Sequence, residues 1–329
     1  MQEITIETNE AGQRLDKFLG KYLNEAPKSF YYKMLRKKNI VLNDKKASGN
    51  ERLSVGDSVK FYLSDETIEK FSSLRIPRAA SKLDIIYEDE HVLLINKPAG
   101  MLSQKARRED VSLVEHLESY LLSTGALSRE SLRAFHPSIC NRLDRNTSGI
   151  VAAGKTLSGL QEMGELFKTR SLKKYYWCLV KGIVKRERHI KGYLLKDSIT
   201  NKVTISPKNT KDSLAIETEY KPIARGDGVT LLEVHLITGR THQIRAHLAS
   251  IHHPIVGDFK YGEAEINQVY LRKYGVRSQL LHARRMEFPE LTGVLGGLSN
   301  RIFTAALPEG FYQILKKEGC LLDDSGLQE

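Results

Sequence analysis

Leu15, Phe18, Leu19, Tyr22 and Leu23 recur at the i, i+3, i+4, i+7, i+8 spacing of an amphipathic helix, with Arg14, Lys17 and Lys21 off that stripe. Pro27 interrupts the pattern. Ser29 is then placed to cap a second helix through Phe30, Met34 and Leu35 that ends in Arg36, Lys37, Lys38 and Asn39. Ahead of these helices, Ile4 and Ile6 alternate as an opening strand. After them come an apolar run over 40–42, a turn at Asn43-Asp44, and Val59, Phe61 and Leu63 alternating behind a Gly56-Asp57 turn. Residues 1–64 therefore predict a small domain of two helices and short strands. Residues 65–82 lack sustained periodicity and read as a linker.

A second and larger domain is expected over 83–329. Its opening apolar runs, 83–86 and 92–95, flank the polar turn Glu88-Asp89-Glu90 and predict a β-hairpin leaving through "NKPAG". Strands are predicted over 150–153, 176–180, 203–205 and 230–236, and a helix over 157–167. This mixture predicts an α+β body around an extended sheet. No internal repeat suggests a solenoid. No run of about 18 apolar residues suggests a membrane span.

Charge changes this picture. The chain has 51 basic and 40 acidic residues, a net +11, which favours a polyanionic partner such as nucleic acid; a solvated basic surface without a partner is the competing reading. Residues 14–60 alone carry 12 basic and 5 acidic side chains, so the excess is concentrated in the small domain. For Arg36, Lys37 and Lys38, complementarity to a helix C-terminus competes with phosphate contact. Cys140, Cys178 and Cys320 are odd in number, widely spaced and without a Cys-x-x-Cys pair, and the N-terminus has neither a basic leader nor an apolar stretch. A reducing, cytoplasmic setting is expected.

The richest stretch chemically is "NRLDRNTSG" over 141–149, which sets Asp144 between Arg142 and Arg145. By itself this pattern fits a surface ion pair or a turn-forming aspartate as well as a catalyst. A nearby guanidinium would favour the ionised carboxylate, which suits a nucleophile better than a proton donor. Downstream, Ile244, His247, Leu248 and Ile251 share one helical face, so His247 is expected to be a hydrogen-bonded core residue. The histidines at 242, 247, 252 and 253 miss the His-x-x-x-His spacing and have no nearby cysteine, so no metal site is expected. No phosphate-cradling glycine loop is found either, and a cofactor-free protein is expected.

At "RLDRNTSGIVAAGK" the sequence resembles the RluA family of pseudouridine synthases, whose aspartate in an Arg-Leu-Asp-x-x-Thr-Ser-Gly run is catalytic. Asp144 holds that place; Asn141 stands where the family usually has histidine. "KKYYWCLVKG" is similar to the family's Lys-x-Tyr strand motif. The resemblance implies Lys174 and Tyr176, with Tyr176 against the target base and Tyr175 on the opposite side of the strand. "TGRTHQIRAHLASIHHPIVGDFKYG" resembles the next motif and implies that Arg245 pairs with the aspartate, with Arg240 and His242 as further substrate contacts. "LLHARRMEF" resembles the last, with Leu281 walling the base pocket. The small domain, with "RLDKFL", "VLNDKKAS" and "LSVGDSV", resembles an RNA-binding domain shared by a small-subunit ribosomal protein and several RNA-modifying enzymes.

The resemblance implies the pseudouridine synthase fold, an extended, mostly antiparallel mixed sheet flanked by helices. It also implies a base-flipping isomerase acting on structured RNA, with large-subunit ribosomal RNA favoured and transfer RNA as the alternative. In this reading Asp144, Tyr176 and Arg245 are catalytic. Arg142, Arg145, Lys174, Arg240, His242, Leu281, Lys37 and Lys38 bind substrate, and the enzyme is a monomer. Two other classes compete. A pure RNA binder has no need of a carboxylate in an RNA-facing pocket, where it repels phosphate. An RNA glycosylase or nuclease would share base flipping but release uracil or break the strand.

Overall fold

The computed structural model describes residues 1–72, 79, 82–129, 131–133, 135–197, 200 and 202–320. At the N-terminus, β1 (Gln2–Thr5), α1 (Leu15–Tyr22), α2 (Lys28–Arg36), β2 (Ile40–Leu42), β3 (Lys45–Lys46), β4 (Ser58–Phe61) and α3 (Asp65–Phe71) follow in order. The strands form an antiparallel sheet in the order β1-β4-β2-β3. Asn43 and Asp44 join β2 to β3, both with positive φ (51° and 61°), the backbone a tight two-residue hairpin requires. α1 buries Leu15, Phe18, Leu19 and Tyr22, the stripe its spacing predicts, in a core with Ile40, Val59 and Phe61.

Two details differ from the sequence reading. α2 begins at Lys28, with Pro27 as its N-cap residue at φ −65°, so Ser29 lies inside the helix and caps nothing. The proline ring already holds the dihedral needed there, and helix formation starts two residues sooner than the serine signal implies. The stretch read as a linker opens with α3, capped by the Ser64 hydroxyl, and Ile68 and Phe71 pack into the small core. Of the remainder of that stretch, residues 73–78, 80 and 81 lie outside the described residues.

The second part begins with β5 (Ile85–Glu88), β6 (Val92–Lys97), α4 (Leu113–Ser123), β7 (Ser138–Ile139), β8 (Ser148–Gly154), α5 (Leu157–Thr169) and β9 (Lys173–Lys181). β10 (Arg188–Lys196), β11 (Val203–Ser206), β12 (Leu214–Arg225), β13 (Val229–Leu236) and α6 (Gln243–Ser250) follow. The chain closes with α7 (Ala264–Tyr274), β14 (Leu281–Glu287), β15 (Ile302–Thr304) and α8 (Glu309–Lys317). The strands make one sheet in the order β11-β10-β12-β13-β9-β14-β8-β6-β5, with β15 on β14 and β7 on β8. β14 and β8 run parallel; the other named pairs are antiparallel. This is the mixed α+β sheet expected from the sequence.

β6 and β8 are buried on both faces, which is why they read as unbroken apolar runs. One face gives Leu93, Ile95, Val151 and Ala153 to a core with Leu113, Leu117 and Leu121 of α4 and Ile244 and Leu248 of α6. The other gives Val92, Leu94, Ile150 and Ala152 to a core with Met163 of α5. The period of two along β9 sends Tyr176 to the first face. Its neighbour Tyr175 lies on the other, stacked on His235 at 4.8 Å with the Arg285 guanidinium 3.9 Å from its ring centre. His247 is buried and bonds Thr218, as a core histidine should. Among the described residues no helix is long and apolar enough to cross a membrane.

Candidate active site

Asp144 sits in the turn that feeds β8, and nearly every residue of its motif helps to fix that turn. Ser103 Oγ donates to the Leu143 carbonyl (2.8 Å) and accepts from the Leu143 N–H (3.0 Å), securing the residue before the carboxylate. The Arg145 carbonyl, just after it, accepts from Gly100 N (2.9 Å) and from the ammonium of Lys97 (3.2 Å). Thr147 accepts from Gln279 Nε2 (3.2 Å), and Ser148 Oγ bonds His282 Nδ1 (2.8 Å), so the turn is tied to β14. Gly149 completes the join: at φ 110°, a Cβ there would lie 2.2 Å from the Ala283 carbonyl oxygen. Asn141, in the family's usual histidine position, bonds the backbone of β8 through Ala152 N (2.8 Å) and Ile150 O (3.4 Å).

The opposing side is the "TGRTHQIR" loop and α6. Gln243 organises it: its amide oxygen accepts from Thr238 Oγ1 (2.8 Å) and Arg240 N (3.1 Å), and its nitrogen donates to Glu217 O and Thr218 Oγ1, each at 3.0 Å. That fold places His242 as the N-cap residue of α6 with φ 55°, and Arg245 within the first turn. Arg245 grips Asp258 with Nε (2.7 Å) and Nη2 (2.9 Å), and reaches Asp144 Oδ2 with Nη1 at 2.8 Å. Asp258 is fully buried and also accepts from the N–H groups of Lys260 and Tyr261.

Charges at the site are matched. Burial opposes the Arg245 charge, but Asp258 and Asp144 outweigh it and raise the arginine pKa. Burial likewise opposes ionisation of Asp258, yet Arg245 and the two backbone donors hold its pKa below the ordinary value. Burial lowers the His242 pKa, with Arg245 and Lys260 adding to the effect and Asp144 opposing it. Lys97, with no exposed surface, donates to the carbonyls of Pro98, Met101 and Arg145; burial brings its pKa down to about 8, with Asp144 opposing.

The structure thus brings together Asp144, Arg245, His242 and Tyr176. Tyr176 is 6% exposed; burial first, then the Asp144 charge, raise its pKa, so the phenol keeps its proton and offers a ring rather than a base. Leu281 is buried in the same core as Tyr176. The partner of Asp144 is Arg245, whereas Arg142 and Arg145 are exposed and Arg145 turns its Nε to the Gly100 carbonyl (3.0 Å). Arg240 is exposed on the same loop as His242. Lys174 is buried, but its ammonium lies over the Phe167 ring at 5.8 Å, and burial followed by Arg170 lowers its pKa. Lys37 and Lys38 are exposed at the end of α2, in the small N-terminal part.

Four contributors were not singled out from sequence: Ser103, Lys97, Asp258 and Tyr261. Lys97 left a trace, as a charged residue closing a strand that opens with the apolar run 92–95. Asp258 and Tyr261 lay inside the quoted "GDFKYG", but an acidic residue in a glycine-rich turn carries no sign of the arginine it will meet. Ser103 has no local signature.

Chemically, the site is a carboxylate one-quarter exposed, held by a guanidinium that is itself locked from behind, beside a buried aromatic ring. It suits nucleophilic attack or stabilisation of positive charge better than proton donation. Comparison with known proteins agrees. Residues 91–250 match the profile of the RNA pseudouridylate synthase family. The ribosomal large subunit pseudouridine synthase C of Vibrio vulnificus (strain CMCP6) is 34% identical over 298 residues, 88% of each chain. Its namesake in Escherichia coli (strain K12) is 32% identical over 297 residues, covering 87% of this chain and 88% of the relative. The human RNA pseudouridylate synthase domain containing 4 shares the fold, with a TM-score of 0.58 at 22% identity over 71% of this chain and 92% of that one. With sequence similarity over most of its length and the carboxylate, arginine and aromatic ring gathered at one site, the chain belongs to the RluA family of RNA pseudouridine synthases.

Proposed function

We propose that this enzyme converts uridine to pseudouridine in large-subunit ribosomal RNA, with Asp144, Arg245 and Tyr176 as its catalytic residues. The observation that carries the reading is the Asp144–Arg245 pair with Asp258 behind it. Isomerisation breaks the glycosidic bond, turns the freed uracil and rejoins it to the same ribose through carbon, so atoms are conserved and no energy source is needed. The target nucleotide first leaves its stack, at about a few kcal/mol. Tyr176 offsets part of this by stacking against the base, and Leu281 walls the pocket. Arg245 and His242 both approach Oδ2 of Asp144, which supports Oδ1 as the oxygen that faces the nucleotide in this reading.

Exposed Arg142, Arg145, Arg240, Lys37 and Lys38 supply phosphate contacts in this reading, and Lys174 is the further substrate contact that the strand motif implies. The names of the relatives favour ribosomal RNA over transfer RNA. A cytoplasmic monomer that needs no cofactor completes the proposal. The test is to map pseudouridines in total RNA from cells with and without this gene. Loss of one or a few sites in large-subunit RNA is expected; loss confined to transfer RNA would move the substrate, and no loss would overturn the reading. Released uracil or a broken strand from purified enzyme would assign a glycosylase or nuclease instead.

A further inference from the structure

Tyr261 is tied to the site by its hydroxyl. The backbone N–H of Val203, at the start of β11, donates to the Tyr261 oxygen (3.0 Å), and the same hydroxyl meets His242 Nδ1 at 2.9 Å. The His242 and Tyr261 rings pack edge to face at 5.5 Å, and the Arg245 guanidinium lies 5.1 Å from the tyrosine ring centre. The backbone of His242 occupies the left-handed region (φ 55°), which a non-glycine residue adopts at some cost, and the imidazole is thereby turned so that Nε2 stands 3.9 Å from Asp144 Oδ2.

These contacts favour one position for the imidazole proton. The tyrosine oxygen already receives the Val203 N–H, and the phenol proton has His242 Nδ1 as an acceptor within reach. An unprotonated Nδ1 requires that a neutral imidazole carry its hydrogen on Nε2. The Asp144 carboxylate beside Nε2 favours the same arrangement. Neutrality is favoured by burial and by the cations Arg245 and Lys260, against Asp144 and Asp258.

We propose that Tyr261 is a positioning residue that acts through His242, holding it as the Nε2–H tautomer so that this N–H meets a hydrogen-bond acceptor on the uridine beside Asp144. The inference rests on the proposed uridine isomerisation, and it adds a residue from a separate loop to the site. A neutral donor suits a carbonyl or hydroxyl oxygen of the nucleoside, and it leaves the charge balance between Asp144 and Arg245 undisturbed. The Gly-Asp-Phe-Lys-Tyr-Gly segment then serves the site twice, because Asp258 locks the arginine and Tyr261 locks the histidine.

Two measurements test it. Long-range proton–nitrogen NMR of the full-length protein should show His242 with Nδ1 in the acceptor range and Nε2 protonated at neutral pH, and Tyr261→Phe should mix the tautomers. Finding Nδ1 protonated in the parent would overturn the proposal, whether or not the enzyme is active. The second is a double-mutant cycle on kcat under single-turnover conditions. Tyr261→Phe keeps the ring against Arg245 and should lower the rate about tenfold with RNA affinity within about threefold. In a His242→Ala background the same change should do almost nothing, because its route to the substrate is gone. His242→Gln, which restores a neutral donor, should recover part of the His242→Ala loss. Independent effects of the two residues would mean that Tyr261 acts by bracing β11 or Arg245, and the proposal would fall. A parent enzyme forming no pseudouridine would refute the functional reading while leaving the tautomer measurement intact.

Discussion

Arg245 Nη1 lies 2.8 Å from Asp144 Oδ2 although 101 residues separate the two in sequence. Neither flanking arginine takes its place, so a local surface ion pair does not account for the carboxylate. The first prediction follows. Asp144→Asn keeps size and shape but removes the anion, so it should abolish pseudouridine formation with RNA affinity within several-fold of the parent. Turnover above roughly a tenth of parental, under about 1.4 kcal/mol of barrier, would falsify the assignment.

Asp258→Asn should act on stability as well as rate. It leaves a buried guanidinium with only one full carboxylate partner, and breaking such a pair costs about 3–5 kcal/mol, with the lower end expected because the amide still accepts one hydrogen bond. Denaturant unfolding of parent and variant checks the size. A loss below about 1 kcal/mol would mean that Arg245 is held by something else.

Acid should weaken the fold well before carboxylates titrate. His247 and His282 are buried, and burial lowers each from an ordinary 6.5 to about 4. Between those values the unfolded chain binds more protons than the native one, so stability is complete above about pH 6.5 and is lost as the pH falls toward 4. Each contributes on the order of 3 kcal/mol, and His247→Gln should flatten the dependence. Unfolding free energies at pH 7 and pH 5 that agree within about 1 kcal/mol would contradict this.

Gly149→Ala should prevent folding of the large sheet. Its φ is 110°, and the added methyl would lie 2.2 Å from backbone oxygen of β14, which cannot swing aside as a side chain could. A soluble, active alanine variant would show that β8 and β14 join differently.

Deletion of residues 1–72, rather than 1–64, should leave the large sheet folded, because α3 packs on the small core and leaves with it. RNA affinity should drop. Its salt dependence should flatten by roughly 0.7 to 0.9 in logarithmic slope for each phosphate no longer neutralised. An unchanged slope would remove Lys37 and Lys38 from the interface.

The reading from sequence succeeded where the signal was periodic or contiguous. The α1 stripe and the β6 and β8 runs followed from spacing alone, and the opposition of Tyr175 to Tyr176 followed from the period of two once the resemblance had placed the strand motif. Asp144 and its partner Arg245 needed family resemblance, since no local rule links residues 101 apart. Ser103 and Asp258 escaped because their roles exist only against distant backbone or a distant guanidinium. Ser29 misled because a good capping residue followed a proline that had already begun the helix.

The position of β14 governs when this enzyme becomes one. β5, β6 and β8 carry the Asp144 turn, β9 through β13 carry Tyr176, and β14 is the strand inserted between the two groups. During synthesis the first group and then the second leave the ribosome with no hydrogen-bonded seam between them until residues 281–287 emerge. A nascent chain short of that strand holds Asp144 and Tyr176 on two groups of strands that no strand pairing joins, so the proposed site waits for β14 to be assembled.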